Sequence, residues 1–167
     1  MTATPYPKHS HDGSTVTVKD GTGTPLSVTA PWDMADFSID GLQQGLRGTN
    51  AYQTRGKLVA LRNGQREFPT GQFSYMVPHF KNTSDGTVAD MILGTAGTPF
   101  ATRVSTTAAT GDVMTFDVTF TDIDGNTLTL EDCELKLSFA EGEPNKMTVA
   151  YTMYGALSGD LAIAVDA

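Results

Sequence analysis

The stretch CELKLSFAEGEPNKMTVAYTMY, Cys133 to Tyr154, decides how this chain folds. Cys133, Leu135, Leu137 and Phe139 alternate with Glu134, Lys136 and Ser138, and Met147, Val149, Tyr151 and Met153 alternate with Thr148, Ala150 and Thr152. Between the two runs lies Ala140-Glu141-Gly142-Glu143-Pro144-Asn145. Successive side chains of a strand point to opposite faces, so each run carries one apolar and one polar face. Two such runs around a Gly/Pro/Asn turn predict an antiparallel hairpin whose apolar face, Phe139 included, is buried.

The same period extends N-terminally. Leu128 and Leu130 form a further run, but Cys133 resumes on the opposite parity, which predicts a bulge near Glu131-Asp132. Thr115 to Thr121 reads as a strand with Phe116, Val118 and Phe120 inward and Thr115, Asp117, Thr119 and Thr121 outward, turning at Asp124-Gly125-Asn126. Gln72 to Phe80 reads as a strand with Phe73, Tyr75 and Val77 on one side. Leu58 to Arg62 reads as another, apolar on both faces, and Asn63-Gly64 after it is the strongest hairpin-turn signal in the chain. Nearer the N-terminus, Val16 and Val18 mark a strand and Asp20-Gly21-Thr22-Gly23 a turn. Leu26 to Thr29 forms the return, and Trp32 to Asp40, with Phe37 and Ile39, a third strand.

One short helix is expected within residues 84–94. Ser84, Asp85 or Thr87 would cap it, Val88, Met91 and Ile92 form its apolar stripe, and Gly94 ends it. So short a helix must dock on a sheet to persist. The expected fold is mainly β, an antiparallel β-sandwich or partly closed barrel with one flanking α-helix, in a single domain over residues 1–167.

Composition agrees: 17 Gly among 167 residues and only 39% hydrophobic content suit a turn-rich β chain. No apolar run approaches a membrane span, and the N-terminus lacks a basic-then-apolar signal order, which predicts synthesis in a cytoplasm without membrane insertion. Cys133 is the only cysteine, so an internal disulfide is excluded. With 19 acidic against 11 basic residues and a net charge of −8, the surface opposes phosphate binding.

Three segments fall outside the alternation: an arm at 1–13, a Gly- and Gln-rich loop at 41–54, and a tail at 155–167. Loops as long as 41–54 within a compact domain are usually functional or disordered. Arg47, Arg55, Lys57, Arg62 and Arg66 concentrate the basic charge in the middle of the chain, as a solvated face or a complementary subunit contact.

No catalytic constellation stands out. Asp122, Asp124, Asn126 and Glu131 have oxygen ligands for calcium, but the glycine is misplaced for an EF-hand and strands flank the segment, so a polar hairpin turn is the expectation. His9, His11 and Asp12 read as a solvated terminus, with His79 far away in sequence, and Asn82-Thr83-Ser84 is a glycosylation sequon without meaning in a cytoplasmic chain. Neither nucleotide-binding fingerprint occurs. No catalytic residue, cofactor or metal is therefore expected.

The segment from Arg62-Asn63-Gly64-Gln65 through Phe73-Ser74, the turn around Phe139, Glu141, Gly142, Pro144 and Asn145, and the Tyr154-Gly155 ending together resemble the tail tube (major tail) proteins of long-tailed bacteriophages. The resemblance implies a structural virion protein made in the host bacterial cytoplasm. Six copies would close into a ring, and rings would stack into a hollow tube through which double-stranded DNA passes without specific binding. Further implied partners are a tape-measure protein, a tail terminator and distal tail proteins. The arm and the 41–54 loop would then contact neighbouring subunits, with Gln43, Gln44, Arg47, Asn50 and Tyr52 as contact residues. Strand parity makes Asp117, Glu131 and Glu134 candidates for a negatively charged lumen. Two other readings are the tube protein of a contractile injection or secretion system, and a monomeric β-sandwich binding module.

Overall fold

The computed structural model describes residues 13–31, 33–77, 86–107 and 113–163. His9, His11, Trp32, His79, the sequon, Ser84, Asp85 and nearly all of the 1–13 arm lie outside them.

The decisive hairpin forms as expected. β8 (Thr127–Ala140) and β9 (Lys146–Met153) pair from Cys133↔Met153 to Ala140↔Lys146. Cys133, Val149 and Met153 are fully enclosed, and Leu135, Met147 and Tyr151 nearly so. The turn is closed by the Gly142 N–H donating to Asn145 Oδ1 at 3.1 Å. Phe139 departs from the expectation: it is 46% exposed, because β8 runs on past the end of the core.

β7 (Phe116–Thr121) lies on the other side of β8. Phe116 opposes Cys133 while Val118 opposes Leu130, so Glu131 and Asp132 together face the single residue Asp117. This is the predicted bulge, and Asp132 adopts φ 54 within it. β1 (Thr15–Lys19) adds to β7, β2 (Ser27–Thr29) to β1, β6 (Thr70–Met76) to β9, and β3 (Ser38–Asp40) to β6. The path is β2-β1-β7-β8-β9-β6-β3, every pairing antiparallel, with β10 (Leu157–Gly159) alongside the start of β8.

This sheet curls on itself. β3 lies four strands from β7 along the path, yet Phe37, just before β3, stacks on Phe120 with ring centroids 5.1 Å apart and on Tyr151 at 5.9 Å. Inside the curl, Val16, Val18, Phe73, Phe116, Val118, Leu130 and Val149 are fully enclosed. The outer face carries Asp117, Thr119, Glu134, Lys136, Thr148 and Thr152.

The open side is covered by α1 (Val88–Leu93), which packs on β2 and β8 through Val88, Met91 and Ile92. Thr87 is the N-cap. Its Oγ1 accepts the Asp90 N–H at 3.2 Å, and the Asp90 carboxylate accepts the Thr87 N–H at 2.9 Å. Gly94 ends the helix at φ 62, its N–H donating to the Asp90 carbonyl. Among the described residues no helix is long and apolar enough to cross a membrane.

The 41–54 segment is not a loop. After a 3-10 turn at Gln44–Leu46, residues Arg47–Thr54 form β4, which pairs with β5 (Lys57–Arg66) in a sheet of its own. The chain reverses at Arg55 and Gly56, with φ 48 and 76, as a two-residue hairpin turn requires. Asn63-Gly64 is not a turn but lies inside β5, where Gly64 backs against the Gly48 backbone at a register shift. The alternation that marks core strands is missing from β4 because neither of its faces meets a core.

A candidate assembly surface

Among the described residues the β4–β5 hairpin is fastened to the body at its base. Leu46, with φ 52, is fully buried and pins the entry, and its carbonyl accepts the Glu67 N–H at 2.8 Å. Gln43 Nε2 donates to Glu67 at 2.8 Å. At the exit, the Arg66 guanidinium donates to the carbonyl oxygens of Tyr154 and Gly155 and lies 5.2 Å over the Phe68 ring. Phe68 in turn packs on Tyr154 with centroids 5.0 Å apart.

Beyond that base every residue from Thr49 to Val59 is exposed. Directly opposed residues of an antiparallel pair share a face. One face therefore holds Asn50 and Arg62, Tyr52 and Ala60, Thr54 and Lys57; the other holds Ala51 and Leu61, Gln53 and Leu58. Tyr52 is 53% exposed, Leu58 58% and Leu61 61%. Fully burying such a side chain contributes about 1.5–3 kcal/mol, and a two-stranded hairpin alone is marginal in water. The hairpin thus presents unspent apolar surface on both faces.

The expected contact residues divide. Asn50 and Tyr52 come together on one face of the hairpin; Arg47 is half-buried at the base, and Gln43 is occupied within the chain. Sequence reasoning passed over Leu58, Val59 and Leu61 as contact residues, although apolar residues on both faces of one short run were the available signal.

The expected lumen residues all lie around the β7–β8 bulge. Asp117 is half-buried, and its carboxylate accepts the Asp132 N–H at 3.1 Å. Burial pushes its carboxyl up from the ordinary range, and the charges of Asp132 and Glu131 add to that. Glu134 accepts a hydrogen bond from the Tyr154 hydroxyl at 3.1 Å and lies 3.8 Å from Lys136 Nζ. Glu131 lies within the bulge.

The Asp122 carboxylate turns back on its own loop, accepting the N–H groups of Asp124 and Asn126 at 2.9 Å each. No three metal-ligating side chains converge among the described residues.

No protein-family profile and no curated protein matches the chain. Solved structures do. A sheath/tube terminator of an extracellular contractile injection system (PVC), in the extended state, is similar over 96% of this chain and 100% of that one, with a TM-score of 0.56 and 14% identity. A chain of the sheath-tube complex of an extracellular contractile injection system (PVC), also extended, is similar over 95% of this chain and 90% of that one, with a TM-score of 0.51 and 15% identity. The fold is thus shared with chains of the sheath-tube complex and of its terminator in such a system.

Proposed function

We propose that this chain is a structural subunit of a tube, of the kind found in contractile injection machines, that closes into rings and stacks. The observation that carries this reading is the β4–β5 hairpin, exposed on both faces and projecting from a fold shared with such assemblies. A fixed monomer has no use for it, whereas a ring or stack buries it against a neighbour. Contacts that join unlike surfaces generate rings when the rotation closes and open filaments when it does not. A sixfold ring, and partners that set tube length and cap its end, belong to this proposal.

Passage of DNA through a phage tail is the narrower form of the same reading. The acidic balance of the chain supports it, since a wall of that sign repels phosphate.

The test is electron microscopy and sedimentation of the purified chain at rising concentration. Rings or rods are expected from the natural chain. A variant with Asn50–Arg62 replaced by a two-residue Asn-Gly turn between Thr49 and Asn63 should fold and stay monomeric. Leu46 must be retained, because it belongs to the core. A natural chain that stays monomeric at every concentration defeats the proposal.

A further inference from the structure

The hairpin is charged in one sense only. Residues 47–66 hold five of the chain's 11 Lys and Arg and none of its 19 Asp and Glu. On the Tyr52 face the cross-strand order is Arg62, Tyr52, Lys57, an aromatic ring between two cations. Neither Lys57 nor Arg62 has an acidic partner among the described residues.

At the end of the β7–β8 pair a groove of about 380 Å³ has the complementary composition, acidic and apolar. Phe120, Leu128 and Leu161 give it an apolar lining, with Leu161 56% exposed, and Asp122 and Asp160 contribute a carboxylate each. Both carboxylates are fixed by the backbone. Asp122 is held by its loop, with Asn126 Nδ2 donating to Oδ2 at 2.9 Å, and Asp160 Oδ2 accepts the Thr127 N–H at 2.7 Å. The Asn126 side chain, the leading cause, and the loop amides hold the Asp122 carboxyl below its usual range, so it stays charged. Neither carboxylate has a cationic partner among the described residues.

We propose that the Arg62-Tyr52-Lys57 face of one copy docks in the Asp122–Asp160 groove of a second copy, with the Tyr52 ring on the apolar lining. The proposal rests on the tube reading in taking the partner to be another copy of this chain. A buried aromatic flanked by charge pairs is a common centre of interface energy, and fixed carboxylates lose little freedom on pairing. A hairpin exposed along both strands does not fill the groove of its own chain, which leaves the contact to a neighbour.

The test is a charge swap scored by sedimentation and microscopy, with thermal unfolding to establish that each variant folds. K57E/R62E alone and D122K/D160K alone should each raise the assembly concentration at least about tenfold. Mixed in equal amounts they should co-assemble, because the cationic hairpin of one then meets the acidic groove of the other, and the anionic hairpin the basic groove. D122N/D160N keeps an acceptor oxygen for the Asp124, Asn126 and Thr127 amides, losing the one that meets Asn126 Nδ2, and should still weaken assembly. Assembly of the natural chain should weaken toward 1 M salt, where the screening length falls to about 3 Å.

K57E/R62E that assembles like the natural chain overturns the proposal. So does a mixture of folded variants that stays dissociated. Groove variants that lower the unfolding temperature but assemble normally would give the groove to another segment of the same chain, and also overturn it. Each of these leaves the tube reading standing, whereas a natural chain that never assembles removes the tube reading itself.

Discussion

The Asp132 backbone N–H donates to the Asp117 carboxylate across the β7–β8 bulge at 3.1 Å, while Asp132 itself sits at φ 54. Its own carboxylate accepts the Thr106 hydroxyl at 2.7 Å, tying the segment before β7 to the bulge. Asp tolerates the left-handed region better than Ala does. Asp132→Ala should therefore destabilise the fold by about 1–2 kcal/mol, through the lost hydrogen bond and the backbone strain. Asp132→Asn keeps the acceptor and should stay within about 0.5 kcal/mol of the natural chain. Urea unfolding of the three proteins checks this.

Asp117 sets a pH dependence of its own. Its folded-state pKa is raised above 3.8, by burial first and then by Asp132 and Glu131, so the native state holds the proton more tightly than the unfolded state. The sign follows: stability falls as pH rises from 3.8 through the folded value, and remains lower above it. Asp117→Asn should remove that slope and stabilise the chain at neutral pH by about 0.5 kcal/mol, a figure kept small because solvent screens the site. Urea midpoints of both proteins on the two sides of the window measure it.

Cys133 is fully enclosed between β7 and β9, and its Sγ lies 3.5 Å from the Leu130 carbonyl. Burial pushes its thiol far above 9.0, so an aromatic disulfide reagent should label it only as fast as the chain unfolds. Above pH 9.0 the unfolded thiol ionises while the native one does not, and stability should decline with rising pH. Tyr75, pushed up to about 12 by burial, adds to the decline above pH 10.0. Labelling faster than global unfolding would contradict this account.

Asp20 is the most heavily used buried carboxylate among the described residues. It accepts the Thr22 hydroxyl at 2.9 Å and the N–H groups of Thr22 at 3.3 Å, Leu26 at 2.8 Å and Val104 at 3.1 Å. Asp20→Ala leaves buried donors unmet and should cost about 3 kcal/mol. Amide hydrogen exchange at Leu26 and Val104 should accelerate before that of the β8–β9 pair.

Legibility in the sequence followed contact with the core. The bulge was readable because Leu130 and Cys133 both point inward on opposite parity. The helix was readable because Thr87, Val88, Met91, Ile92 and Gly94 each do one local job. The hairpin was misread because Thr49, Asn50 and Gln53 face water on a strand that touches no core, so no alternation was imposed on them. Asn63-Gly64 misled for a related reason: the local turn preference is real, but the Gly64 position serves a register shift against Gly48, and Arg55-Gly56 makes the turn. The Asp122–Asp160 groove could not be read at all, since it joins residues 38 positions apart through the β10–β8 pairing.

The curled sheet ends in β2 and β3, each three residues long. So short a border offers an arriving molecule only two or three backbone hydrogen bonds, too few to hold it. In the proposed tube, edge pairing alone would therefore leave two colliding subunits parting more often than they stay, and a complete ring scarce until enough neighbours arrive together. Growth from free subunits should then show a lag that a preformed ring abolishes. In the proposed tube the three-residue borders would thus leave the moment of polymerisation to whatever supplies the first ring.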